Sequence, residues 1–325
     1  SRTDLGRKHN DDLRAEDTPE GAEDHRAGLR NAVDLMEQDF SFAELTEDGK
    51  LSWEMWKYSL ERAERGVPFR GHRYLFGRGG IHASIPNFLI NLHRVDAPED
   101  MDAYLSRLGE IDRVLSEVLI ESKKNAKDGI RQPRFAYDFA IDEIKRVTAG
   151  FPFNTSDDIP NSPLWADVQV KISSLLERSL ISESEAQSYR EQVKLILEGE
   201  VFDEYKRVLA WLEADKQNTS KFAQGVWALP DGRDYYAYRL EQMTTLSLSA
   251  DEIHQIGLAE VARLLAEMNE LKNVIGFEGK LNDFFQFIRQ DATNYYEDSD
   301  SGREAYLKDN YTYLDMINKK LPDYF

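Results

Sequence analysis

Along most of the chain, apolar residues recur at intervals of three and four, the spacing that lines one face of an α-helix. "HRAGLRNAVDLMEQDF" sets Leu29, Val33 and Met36 on one stripe, and "LSWEMWKYSLERAERG" does the same with Trp53, Trp56 and Leu60 before Gly66 ends it. The longest apolar face runs from Pro98 to Gly129 through Tyr104, Leu108, Ile111, Leu115, Val118 and Leu119, and predicts one long helix. Further helices are expected over 133–150, 164–180 and 182–215, the last opened by the capping-box spelling of Ser182 with Glu185. Alternating strand patterns are almost absent. Only "GVWALPDG", Gly225 to Gly232, reads as a short extended run closed by a Pro-Asp-Gly turn. The pattern predicts an all-α, multi-helical fold of long antiparallel helices with at most a small β hairpin.

Residues 1–25 are charged and small polar side chains and read as a mobile lead-in, followed by a helical region over 26–325. Within that region "GFPFNTSDDIPNSP", Gly150 to Pro163, collects turn formers and three prolines and is the best candidate for a sub-domain break. A length of 325 residues by itself favours two domains. With 41% hydrophobic and 11% aromatic residues, most of the chain should fold.

Charge narrows the set of partners. Against 60 acidic side chains stand 41 basic ones, a net −19 that repels phosphate backbones and argues against nucleic acid. Without cysteine the chain has no disulfide, thiolate nucleophile or Cys-ligated metal. No stretch approaches the roughly 18 apolar residues of a membrane span, and the N-terminus lacks the apolar core of a signal peptide.

Glu252 and His254 begin a helix in "LSLSADEIHQIGLAEVARLLAEM", and invite comparison with a metal-binding helix. A zincin helix carries two histidines four apart on one face. Here positions 250 and 258 are Ala250 and Leu258, and Glu252 lies about 200° around the helix from His254. Ser249 with Glu252 spells a capping box, and Leu248 with Ile253 a hydrophobic staple, so the segment reads as a well-defined helix start.

Two segments depart from the average composition. Between Glu64 and Asp96 there is no acidic residue, yet Arg65, Arg70, Arg73, Arg78 and Arg94 occur there with His72, His82 and His93. Such a stretch presents guanidinium forks to a carboxylate such as a peptide end, or pairs internally with the surplus of Asp and Glu. In "GVWALPDGRDYYAYRLEQMTT", Trp227, Tyr235, Tyr236 and Tyr238 flank a tight turn, either as contacts to a substrate backbone or as aromatic core. The candidate substrate contacts are Arg73, His82, Trp227, Tyr235, Tyr236, Arg239 and His254.

In order, "YSLERAERGVPFRGHRYLF", "GIHASIPNFLINLHRVDAPEDMDAYLSRL", "GVWALPDGRDYYAYRLEQMTTLSLSADEIHQIGLAEVARLLAEM" and "LPDYF" resemble successive blocks of the bacterial domain of unknown function 885. The resemblance runs from about Leu29 to Phe325. One departure is Leu246-Ser247-Leu248, where the family usually has Thr-Asp-Leu after the two threonines. The resemblance implies a helical protein, often exported or lipid-anchored in the bacterial envelope and related to zinc metallopeptidases. Members carry a His-Glu-x-x-Pro-Gly-His helix beyond the "LPDYF" region, so no zinc ligand is carried over to any residue here. The expectation, set against the two-domain length prior, is one incomplete helical fold, the N-terminal, cleft-forming half of a zinc-dependent peptidase, inactive without its C-terminal half and acting on peptides. The competing expectation is a non-catalytic helical envelope protein with a binding or structural role. On the first expectation, an apolar surface should be exposed where the other half docks.

Overall fold

The computed structural model describes residues 19–154 and 160–324, which are overwhelmingly helical and contain no strand. Two compact units divide the chain, Ser1–Leu246 and Ser247–Phe325. Helix α1 (Pro19–Asp39) takes the end of the polar segment predicted to be irregular; the rest of it, residues 1–18, lies outside the described residues. Helix α2 (Glu47–Arg65) packs along α1. Arg30 meets Glu64 at 2.9 Å and Lys57 meets Glu37 at 2.7 Å, a register that fixes the two helices as antiparallel.

The core of the first unit is built by α3 (Ile81–Asn91), α4 (Pro98–Gly109), α5 (Ile111–Lys127), α6 (Arg134–Val147), α7 (Pro163–Glu177), α8 (Glu183–Ile196) and α9 (Phe202–Asp215). Leu115, Val118 and Leu119 of α5 and Tyr205, Val208 and Leu212 of α9 are buried in it, where those two helices pack together. Each such aliphatic side chain contributes about 1.5–3 kcal/mol over an exposed one. Polar ties cross this core. Tyr137 Oη donates to Asp215 at 2.7 Å, and Arg131 and Asn218 close on the same carboxylate. Lys171 Nζ donates to Asp167 at 2.6 Å and to the carbonyls of Leu89 and Ile90, so it also caps the C-terminal end of α3.

Three local expectations change. The single helix expected over 98–129 is two, because Gly109 ends α4 in a tight turn where the Glu110 N–H bonds back to Arg107 and Leu108. Leu108 and Ile111 are both buried, so the apolar period continues across a break it cannot reveal. The helix expected over 182–215 is interrupted by a widened turn, Leu197–Val201, in which Gly199 leaves helical geometry (φ −87°, ψ −124°). "GVWALPDG" is no hairpin: Val226–Ala228 is a 3-10 turn, since no second strand lies beside it to pair. The stretch 150–163 lies inside the first unit, with 155–159 outside the described residues.

Helix α10 (Gly232–Thr244) completes the first unit. In the second, α11 (Ala250–Val274) turns through Phe277 into α12 (Leu281–Gln290), and α13 (Asp300–Lys320) follows. Phe277, Phe284 and Phe287 form the aromatic contact of that turn, with ring centroids 5.3–6.5 Å apart. The predicted capping box is present: Ser249 Oγ accepts from the Glu252 N–H at 3.2 Å, and the Glu252 carboxylate accepts from the Ser249 N–H at 2.8 Å. These bonds hold the Glu252 carboxyl below its ordinary range. No residue of α11 is buried.

Candidate functional site

The acid-free stretch leaves α2 at Gly66 and crosses the first unit as a 3-10 turn, Val67–His72, and a loop to α3. It is held against α10 by rings. Phe69 stacks on Tyr238 with centroids 5.1 Å apart, and His72 lies 4.7 Å from Tyr235. The His72 Nε2–H donates to the Pro230 carbonyl at 2.6 Å, which assigns the proton to that nitrogen, since a carbonyl can only accept. A side chain at Gly66 would strike the Tyr238 hydroxyl, which approaches to 2.6 Å from where a Cβ would stand.

Side chains also tie α10 to α2. Arg62 donates to Gln242, and Arg65 donates to Glu241 through both terminal guanidinium nitrogens, Nη1 and Nη2. Because 62 pairs with 242 while Gly66 meets Tyr238, these two helices run antiparallel. Tyr235, Tyr238, Arg239 and Gln242 stand at i, i+3, i+4 and i+7 and share the face turned to this contact. Tyr236 and Met243 lie on the exposed side.

Between α1, α2, the loop and α10 opens a basin of 1170 Å³. Its described lining holds Arg26, Arg62, Arg70, Arg73, Arg78 and Arg239 with His25 and His72, and includes no Asp or Glu. Aromatic walls come from Trp56, Phe69, Tyr74, Tyr235 and Tyr238. Burial, and then the neighbouring Tyr235, push the Tyr74 phenol above its ordinary value, so it remains a neutral donor. Three carboxylates next in sequence to lining residues are engaged elsewhere: Glu64 with Arg30, Glu241 with Arg65 and Glu23 with Arg26. Arg62 bonds the neutral Gln242, and Arg78 lies over the Phe139 ring at 5.5 Å. Among the described residues no carboxylate pairs with Arg62, Arg78 or Arg239. In a chain of net charge −19, these three arginines are a local positive charge, and the guanidinium is a side chain suited to a carboxylate.

Of the residues singled out in the sequence, Arg73, Tyr235 and Arg239 line the basin. His82 is fully buried on α3, where its Nε2 bonds Glu143 at 2.9 Å and its carbonyl accepts from Tyr205 at 2.8 Å. Trp227 is exposed, its ring folded over Gly225. Tyr236 is on the outer side of α10, and His254 lies exposed on α11 in the second unit. Sequence reasoning missed Arg26, Trp56 and Arg62. They lie on amphipathic helices, and nothing in their spacing shows that those helices face a loop and a helix far along the chain. Among the described residues no group of three or more His, Asp or Glu side chains could hold a metal ion, so the described residues do not fit a zinc site. Nor is any described helix long and apolar enough to cross a membrane.

Fold and basin together define an all-α protein with an arginine-lined cleft. The chain belongs to the family described as "Bacterial protein of unknown function (DUF885)", which it matches over residues 1–325. Among solved structures, it is similar to "the putative lipoprotein from Colwellia psychrerythraea", at 23% sequence identity and a TM-score of 0.78. That alignment covers 99% of this chain and 55% of the other, so the chain spans about half the length of the structure it matches. No curated protein matches significantly.

Proposed function

We propose that the chain forms the substrate-binding wall of a peptide-hydrolysing enzyme, and that the basin takes the carboxylate of a peptide. The observation that carries this reading is that Arg62, Arg78 and Arg239 line the basin and pair with no carboxylate among the described residues, inside an acid-rich protein. Guanidinium forks recognise carboxylates bidentately, and the aromatic walls supply the apolar contact a peptide side chain needs. The family resemblance supports the hydrolytic part, with zinc held by residues other than those described here, and no zinc-dependent step is assigned to this chain.

The exposed apolar residues of α11 and α13 fit the same reading. Leu258, Val261, Leu265 and Met268 on α11, and Leu307, Tyr311 and Leu314 on α13, are all exposed. We assign them as the surface that receives the remainder of a longer polypeptide, an occupant suggested by the greater length of the Colwellia structure. The description of that protein as a lipoprotein supports a place in the cell envelope.

Calorimetric titration of the chain with a short peptide ending in phenylalanine tests the carboxylate reading. The free acid should bind at least about tenfold more tightly than the C-terminal amide, a gap of about 1.4 kcal/mol. Arg239→Ala should abolish that preference. Equal affinity for acid and amide would reject it.

A further inference from the structure

We infer that the ligand of the basin is an acidic peptide with at least two carboxylates, the chain end and an acidic side chain near it. This rests on the carboxylate reading above and goes beyond it. One carboxylate is satisfied by one bidentate guanidinium. Arg62, Arg78 and Arg239 come from three separate elements, α2, the loop before α3, and α10. None has a carboxylate partner among the described residues, and Glu23, Glu64 and Glu241, each next in sequence to a lining residue, are held by Arg26, Arg30 and Arg65. A ligand with a single negative group would leave this set of charges mostly uncompensated.

Size points the same way. The basin exceeds the roughly 300–1,000 Å³ of a drug-sized pocket, and so has room for several residues between separated anionic groups. Trp56, Tyr235 and Tyr238 line the same space and give the intervening peptide an aromatic bed. Over longer distances the net charge of −19 repels such a ligand, so selection falls to the short-range forks and is not helped by steering.

The test uses the full chain and four acetylated tripeptides: Ala-Glu-Phe and Ala-Gln-Phe, each as free acid and as amide. Affinities are measured by calorimetry at pH 7.5 and at two salt concentrations. The Glu free acid should bind at least tenfold more tightly than the Gln free acid, with the steeper loss in salt. Arg62→Gln, Arg78→Gln and Arg239→Gln are exposed changes whose folding is checked by thermal melting, and at least one should erase the Glu-over-Gln preference. The corresponding Arg→Lys variant should keep the charge and recover part of it. If the Glu and Gln acids bind equally while both exceed their amides, the acidic-peptide inference fails and the carboxylate reading stands. If acids and amides bind alike, both fail. Inorganic phosphate that displaces the Glu peptide at the peptide's own concentration would show a simple anion site and overturn the inference.

Discussion

His82 shows how a residue with the chemistry of a site can serve the scaffold. Its ring has no exposed surface, and its Nε2–H donates to Glu143, which also accepts from the Gly79 N–H at 3.2 Å. Burial lowers the imidazole from its ordinary value of 6.5, and Glu143 opposes the shift without overcoming it. The folded chain therefore takes up this proton at lower pH than the unfolded one. Stability linked to His82 is complete above about pH 6.5 and is lost as the pH falls toward the depressed folded value. Urea midpoints measured from pH 8 to 5 should fall, and His82→Gln should flatten the fall while lowering stability throughout. Parallel profiles for the two proteins would show that another group dominates. No composition rule separates His82 from Arg73: both belong to the same acid-free stretch, and only the turn into α3 sends one inward and leaves the other in the basin.

At the scale of elements, helix type and helix starts were legible, whereas interruptions and spatial neighbours were not. Ser182 and Ser249 with their glutamates cap α8 and α11 as their spelling predicts, because capping is local chemistry. The breaks at Gly109 and Gly199 keep the apolar stripe in phase, so the periodicity hides them. The meeting of α2 with α10 depends on side chains 176 and 180 positions apart and has no local signature. The start of α10 is equally constrained by long reach within a turn. Asp231 before it is left-handed (φ 51°), and a Cβ on Gly232 would stand 1.9 Å from the Val226 carbonyl oxygen. That neighbour is backbone and cannot swing aside. Gly232→Ala should cost about 1–3 kcal/mol in chemical denaturation. It should also weaken peptide binding, since it displaces the helix that carries Tyr235 and Arg239. Unchanged affinity would mean that the loop and α2 position the ligand without α10.

For the whole molecule, the two units differ in how they meet water. The first buries a continuous aliphatic core, while in the second Phe284 is the one large apolar side chain buried among the described residues. On α11 the exposed Leu258, Val261, Leu265 and Met268 follow helical spacing, and on α13 so do Leu307, Tyr311 and Leu314. Contiguous apolar faces of this kind associate unless they are covered, and helices with no buried face draw little stability from packing. The chain alone should therefore bind an apolar fluorescent dye and show sedimentation that rises with concentration. Leu265→Glu with Leu314→Glu should suppress both. Because neither side chain is buried, stability at low concentration should change by no more than about 0.5 kcal/mol per site. Association that survives this double change would place the sticky surface elsewhere and remove the support these helices give to docking by a longer polypeptide. If association is lost and peptide binding is kept, the basin and the apolar faces are separate functions of the same chain.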